Sequence, residues 1–129
     1  PNDTTLWVST VGEGIVKVIF DASTATPTVK SASRTVIDNG RMASNYFFTS
    51  YRENDSILWF GNRGCGAYRM NVETGEMIPH RFDSIVSSQT ANDIFAIYKN
   101  AKGYWLGTSS GLLHLEQDDS LYNESGLIF

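Results

Sequence analysis

The sequence predicts an all-β fold assembled from successive copies of one unit, and three observations carry that expectation. The chain holds only three tryptophans, and each stands in the same local phrase. The segments around them are short, rich in aromatic and β-branched residues, and bounded by turn residues, which is the pattern of strands. No stretch keeps apolar residues at i, i+3, i+4 and i+7 over three turns, so helix is not expected.

The phrase runs hydrophobic, Trp, hydrophobic, small, polar, and then a glycine six or seven residues past the Trp. Its first copy is Leu6-Trp7-Val8-Ser9-Thr10 with Gly12 and Gly14. The second is Leu58-Trp59-Phe60-Gly61-Asn62 with Gly64 and Gly66, and the third is Tyr104-Trp105-Leu106-Gly107-Thr108 with Gly111. Upstream, Asn45-Tyr46-Phe47-Phe48-Thr49-Ser50-Tyr51-Arg52 matches Asn92-Asp93-Ile94-Phe95-Ala96-Ile97-Tyr98-Lys99 at the Asn, the Phe, the Tyr and the closing base. The tryptophans are 52 and 46 residues apart. A unit of about fifty residues is the length of a four-stranded propeller blade. The expected architecture is therefore a β-propeller segment of about three four-stranded antiparallel blades, the first incomplete.

In the first unit strand B is expected at 6–10, strand C at 14–20 and strand D at 28–36, with no strand A before them. In the second, strand A is expected at 46–52, and Glu53-Asn54-Asp55-Ser56 has turn chemistry. Strand B follows at 57–61, C at 66–72 and D at 77–82, with Glu73-Thr74-Gly75-Glu76 as the C–D hairpin and Gly75 taking positive φ. The third unit gives A at 94–99, the turn Asn100-Ala101-Lys102-Gly103, B at 104–108, C at 111–116 and D at 120–122. Blade boundaries then fall near 1–38, 39–84 and 85–123. Residues 124–129 are expected to be a linker to a further blade, because the tail from Tyr122 to Phe129 resembles the connector Ile37-Asp38-Asn39-Gly40-Arg41-Met42. Fewer than four blades do not ordinarily close a ring, so the chain is expected to belong to something larger or to assemble with copies of itself.

Composition narrows the function. With 129 residues there is room for one ordinary domain, and 41% hydrophobic against 19% charged residues argues against disorder. The net charge of −4 and the lack of any Lys/Arg run argue against nucleic-acid binding. No apolar stretch approaches 18 residues, so no membrane contact by this chain is expected. The single cysteine, Cys65, can form no internal disulfide.

The stretch Asn92-Asp93-Ile94-Phe95-Ala96-Ile97, then Gly103-Tyr104-Trp105-Leu106-Gly107-Thr108-Ser109-Ser110-Gly111-Leu112, resembles the two-component regulator propeller repeat. That repeat has the form N-x-I-x-x-I…D-x-x-G-x-L-W-I-G-T-x-x-G-L. Leu58-Trp59-Phe60-Gly61 and Leu6-Trp7-Val8-Ser9 are weaker copies, and Gly40-Arg41-Met42-Ala43-Ser44-Asn45 resembles the linker between its blades. Three positions depart from the pattern. Ala101-Lys102 stand where an aspartate is usual, Ser9 replaces a glycine, and Asn62 replaces a threonine. The resemblance implies the periplasmic sensor region of a Bacteroidetes-type hybrid two-component protein, anchored in the inner membrane through other domains. It implies an oligosaccharide or other small-molecule ligand, neighbouring blades of the parent as partners, and no enzymatic activity in this segment. A lyase resembling the streptogramin-cleaving type and a protein-interaction scaffold are the alternatives.

Trp7, Trp59 and Trp105 could form a sugar-stacking platform, but recurrence at one blade position favours packing against the neighbouring sheet. Gly61, Gly107, Asn45 and Asn92 recur with them and are expected to be structural, the asparagines capping strand starts. Gly61-Asn62-Arg63-Gly64-Cys65-Gly66 lacks the Gly-Lys-Ser/Thr ending of a phosphate loop. His80 and His114 are 34 residues apart without ligand-spaced partners, so no metal and no cofactor is expected. No catalytic constellation stands out. In a propeller, the B–C loops and D–A connectors share one face. The ligand candidates are therefore Arg41, Tyr46, Asn62, Arg63, Asp93 and Ser109, which offer hydrogen-bond forks and a stacking ring.

Overall fold

The computed structural model describes residues 3–35, 45–81, 92–116 and 126–128. These residues form three antiparallel sheets and no α-helix, as the periodicity predicts. Strands β1 (Asp3–Ser9), β2 (Ile15–Asp21) and β3 (Thr28–Thr35) make the first sheet in the order β1-β2-β3. Strands β4 (Phe47–Arg52), β5 (Ile57–Asn62), β6 (Ala67–Asn71) and β7 (Met77–His80) make the second. Strands β8 (Ile94–Asn100), β9 (Gly103–Thr108), β10 (Gly111–Glu116) and β11 (Gly126–Ile128) make the third. Each sheet runs up and down in chain order, the topology of a propeller blade.

One element differs from expectation. The strand expected at 120–122 lies outside the described residues, and the strand that pairs with β10 is Gly126–Ile128. Its register sets Leu127 opposite His114 and Gly126 opposite Leu115. The tail was expected to be a connector because it resembles residues 37–42. Gly126–Ile128 instead pairs with β10 as the fourth strand of its sheet.

Register confirms that the repeats are equivalent. Trp7 pairs Lys17, Trp59 pairs Arg69 and Trp105 pairs His114, so every Trp on strand B faces a basic side chain on strand C. On the other flank Tyr51 pairs Trp59 and Tyr98 pairs Trp105. Two of the indole nitrogens are satisfied within their own sheet. Trp59 Nε1 donates to Glu53 at 2.7 Å and Trp105 Nε1 to Asn100 at 3.2 Å. Glu53 and Asn100 hold the same place, two residues past the strand-A tyrosine.

Alternation along the strands gives each sheet two packing faces. Between the first and second sheets lie Ile15, Phe47, Phe60, Cys65, Tyr68 and Met70, with Trp7, Leu58 and Met77 against them. Between the second and third lie Ile57, Trp59, Ile94, Ile97, Tyr104, Leu106, Leu113 and Leu115, with Tyr51 against them. Trp59 is 1% exposed and meets Tyr104 edge-on at 5.5 Å between centroids. Removing a buried side chain of that size costs about 3–5 kcal/mol. Trp7 and Trp105 are half-buried, and Trp105 stacks on His114 at 3.9 Å.

Backbone contacts clasp sheet to sheet at one end of the stack. The Asn45 carbonyl accepts the N–H groups of Gly12 and Gly14, each at 3.0 Å. The Asn92 carbonyl accepts the N–H of Gly66 at 2.9 Å. Gly14 and Gly66 both follow their Trp by seven residues and have φ of 77° and 86°. The small residue after the Trp explains a departure from the repeat. A Cβ on Gly61 would lie 2.5 Å from the Ile94 carbonyl oxygen of the next sheet, whereas Ser9, at the same position, donates its hydroxyl to the Thr49 carbonyl at 3.1 Å.

Gly66 is doubly constrained, because a Cβ there would also stand 2.1 Å from the His80 carbonyl oxygen. Gly75, at φ 75°, meets nothing within 4 Å. Gly75→Ala is therefore expected to cost only the left-handed penalty of about 1–2 kcal/mol, and Gly66→Ala to cost about 2 kcal/mol more. Urea denaturation of the two variants checks this, and equal losses would contradict it.

Candidate ligand site

The loops Thr10–Gly14, Asn62–Gly66 and Thr108–Gly111 gather at the clasped end of the stack, beside the starts of β4 and β8. Tyr46 follows the clasp residue Asn45, forms an antiparallel bridge with Val11 and leaves its side chain exposed. Its carbonyl accepts the Arg63 N–H at 2.9 Å, and the Arg63 guanidinium lies over its ring at 5.6 Å. A cation over an aromatic face at that distance is attracted by the ring quadrupole. Asp93 follows Asn92 in the same way. Its carbonyl accepts the Ser109 N–H at 3.3 Å, and its Oδ1 lies 3.9 Å from where a Cβ on Gly64 would stand. Arg81 adds a second guanidinium, which donates to the Gly64 carbonyl at 3.3 Å.

The structure thus brings Tyr46 and Arg63 together over the first junction, and Asp93 and Ser109 over the second. Arg41 lies outside the described residues. Asn62 is fully buried opposite Phe47 in the second sheet and does not open on the rim, so its place among the ligand candidates is corrected. It closes strand β5, an interior strand of its sheet. Asn92 is likewise buried, while Asn45 is half-buried; their carbonyls carry the clasp.

Two residues absent from the sequence-based candidates stand out. The pairing of β4 with β5 shifts register between Phe47 and Thr49, and that of β8 with β9 between Ile94 and Ala96. Each bulge turns one residue out of the ladder, Phe48 and Phe95 respectively, and bulges re-aim side chains in this way. The two rings stack on each other at 4.7 Å with 28° between planes, at 36% and 48% exposure. They sit on the first strands of their sheets, where the second and third sheets approach most closely. Phe48 is two residues past Tyr46, and Phe95 two past Asp93. In the sequence the two phenylalanines match at one place of the repeat, but the bulge that turns them out is not marked there. The result is an exposed apolar platform two residues along each strand from the rim residues Tyr46 and Asp93.

The other polar groups serve cohesion. At the opposite end of the stack, Glu53 accepts hydrogen bonds from Trp59, from Tyr104 at 2.7 Å and from Lys99, tying the second sheet to the third. Burial works against its charge, but the three donors outweigh burial and hold the carboxyl below its ordinary value. Burial and then the Glu53 hydrogen bond push the Tyr104 hydroxyl up. Burial, followed by neighbouring Cys65, pushes Tyr68 up to about 12. His80 lies 5.2 Å from Trp59, and burial followed by Arg69 lowers its pKa. His114 is occupied by Trp105 and by the Lys102 carbonyl at 3.0 Å. Among the described residues no group of three or more His, Cys, Asp or Glu comes together to hold a metal ion.

No family model matches the chain, and no solved structure matches it. Over 112 residues, 85% of the chain, it is 34% identical to histidine kinase P4 of Formosa agariphila. That match spans 8% of the kinase, so the likeness is to a small part of a much longer protein.

Because the folded carboxyl of Glu53 titrates below its ordinary value near 4.5, its contribution is complete above that pH and fades as pH falls through the lower folded value. Glu53→Gln is expected to lower stability by about 1–3 kcal/mol at pH 7. The gap between wild type and variant should close on acidification. Denaturation across pH 7 to 3 measures it, and a gap constant with pH would contradict the charge-based role.

Proposed function

We propose that this chain is a ligand-sensing segment in the extracytoplasmic, periplasmic part of a two-component sensor histidine kinase, and that its clasped rim binds an oligosaccharide. The stacked and exposed Phe48–Phe95 pair carries the binding half of the reading. Exposed aromatic faces suit the apolar faces of sugar rings, and Arg63, Tyr46, Asp93 and Ser109 suit their hydroxyls or carboxylates. The likeness to part of a histidine kinase supports the sensor half. Units near 1–38, 39–84 and 85 onward would then be consecutive blades, with further blades of the parent as their neighbours.

In this reading the chain binds and transmits; it does not catalyse. A ligand bridging Phe48 on one sheet and Phe95 on the next binds best where the two sheets hold one relative setting. It biases the parent toward that arrangement by differential affinity. A hybrid kinase of this type would carry the transmitter and anchoring domains elsewhere in its chain.

Calorimetric titration of the purified chain with a panel of neutral and uronic-acid oligosaccharides tests the proposal. At least one is expected to bind, and Phe95→Ala is expected to weaken that binding about threefold to tenfold while leaving the tryptophan near-UV signal intact. Binding by none of the panel, or unchanged binding by both Phe48→Ala and Phe95→Ala, would contradict the reading. The same mixtures should leave the oligosaccharide uncut. Metal-dependent cleavage lost on substituting His80 or His114 would instead favour a lyase.

A further inference from the structure

Guanidinium groups at the rim are matched differently from sheet to sheet. Arg34, at the end of β3, pairs with Glu13 of the loop Thr10–Gly14. Arg63, on the loop Asn62–Gly66, is exposed and meets no carboxylate among the described residues. It is held in place all the same. Its backbone N–H donates to the Tyr46 carbonyl at 2.9 Å, and its guanidinium lies over the Tyr46 ring at 5.6 Å. Tyr46 is fixed in turn by its bridge with Val11, and Arg81 ties down the same loop by donating to the Gly64 carbonyl at 3.3 Å.

A guanidinium stacked on an aromatic ring uses its face, and its N–H donors lie along its edge. Those donors match the oxygens of a carboxylate or a sulfate ester. A charge-assisted fork of this kind is about twice as strong as a neutral hydrogen bond. A side chain already set over a ring also loses less freedom on binding than an unrestrained one. The whole chain carries a net charge of −4, so attraction for an anion is local to this loop and not a property of the molecule. Asp93 stands at the other junction, its Oδ1 3.9 Å from where a Cβ on Gly64 would lie. A carboxylate there repels an oxyanion and accepts from hydroxyls, so it directs the charged group of a ligand toward Tyr46 and Arg63.

We propose that Arg63, positioned by Tyr46, makes the rim selective for an oligosaccharide that bears an oxyanion, with Asp93 taking hydroxyls of the same ligand. The inference rests on the sensing reading above and assigns the class of its ligand. The shared chemistry is a sugar-borne oxyanion, whether a uronic-acid carboxylate or a sulfate ester.

Calorimetric titration of the full chain with matched sets of oligosaccharides tests the proposal. Each set holds a neutral member, a uronic-acid member and a sulfate-ester member on one backbone. At least one charged form is expected to bind about tenfold tighter than its neutral counterpart, and which form does so tells carboxylate from sulfate. Arg63→Gln should remove that preference, and Tyr46→Leu should reduce it about threefold. Arg52→Gln removes the same charge at the opposite end of the stack, where Arg52 pairs with Asp55, and should leave the preference unchanged. A wild-type chain that binds neutral and charged forms alike overturns the proposal without recourse to any variant and leaves the sensing reading standing. Binding of no member of any set overturns both. A preference that survives Arg63→Gln, or that Arg52→Gln removes equally, overturns the assignment to Arg63.

Discussion

The stack depends on one repeated backbone contact. A glycine in the left-handed region, seven residues past the Trp, points its N–H at the carbonyl of the asparagine that precedes the next sheet's first strand. Both partners are constrained. The glycine must adopt a positive φ, and at Gly66 the neighbouring His80 carbonyl leaves no room for a Cβ. The asparagine carbonyl stands two residues before the strand, so its place helps fix where that strand begins. The contact occurs at both junctions with nearly the same length, 3.0 Å at Gly14 and 2.9 Å at Gly66. It therefore sets the spacing of the sheets as a property of the repeat rather than of one interface.

The side chains follow from that spacing. Once adjacent sheets are clasped at one end, Trp7 and Trp59 lie against the apolar face of the next sheet, and the indole N–H groups of Trp59 and Trp105 are satisfied in their own A–B turns. Glu53 and Asn100 do this. Where the carboxylate is used, it recruits Tyr104 and Lys99 from the next sheet and closes the second junction at its far end as well. The small residue after the Trp is set by the same geometry. Glycine fits against the Ile94 carbonyl, and serine fits at the other junction by hydrogen-bonding to Thr49. The rim residues are then placed without further instruction, since Tyr46 and Asp93 each follow a clasp asparagine in sequence.

Much of this was legible in the sequence. The three Trp phrases gave the period, and the alternation around them gave the strands, because both features follow directly from a sheet with two buried faces. Tyr46, Arg63, Asp93 and Ser109 were readable as rim residues from their loop positions alone. Three features were not readable. The β-bulges at Phe48 and Phe95 depend on a one-residue register shift that leaves no mark in a binary pattern. The burial of Asn62 depends on covering by neighbouring elements, and its polar side chain in a loop-like phrase suggested the opposite. The final strand at Gly126–Ile128 is three residues long, too short for periodicity to separate it from a connector.

The clasp predicts a particular pattern of amide protection, and hydrogen exchange by NMR measures it most directly. Loop glycines ordinarily exchange at near-unprotected rates, while amides that open only with the packed structure exchange with the strands. If the Gly–Asn contacts hold the sheets together, the amides of Gly14 and Gly66 will exchange as slowly as those of Phe60 and Trp59 in β5. Exchange of both glycine amides at loop rates, with the β5 amides still protected, would show that the sheets are held by side-chain packing alone and would contradict the account.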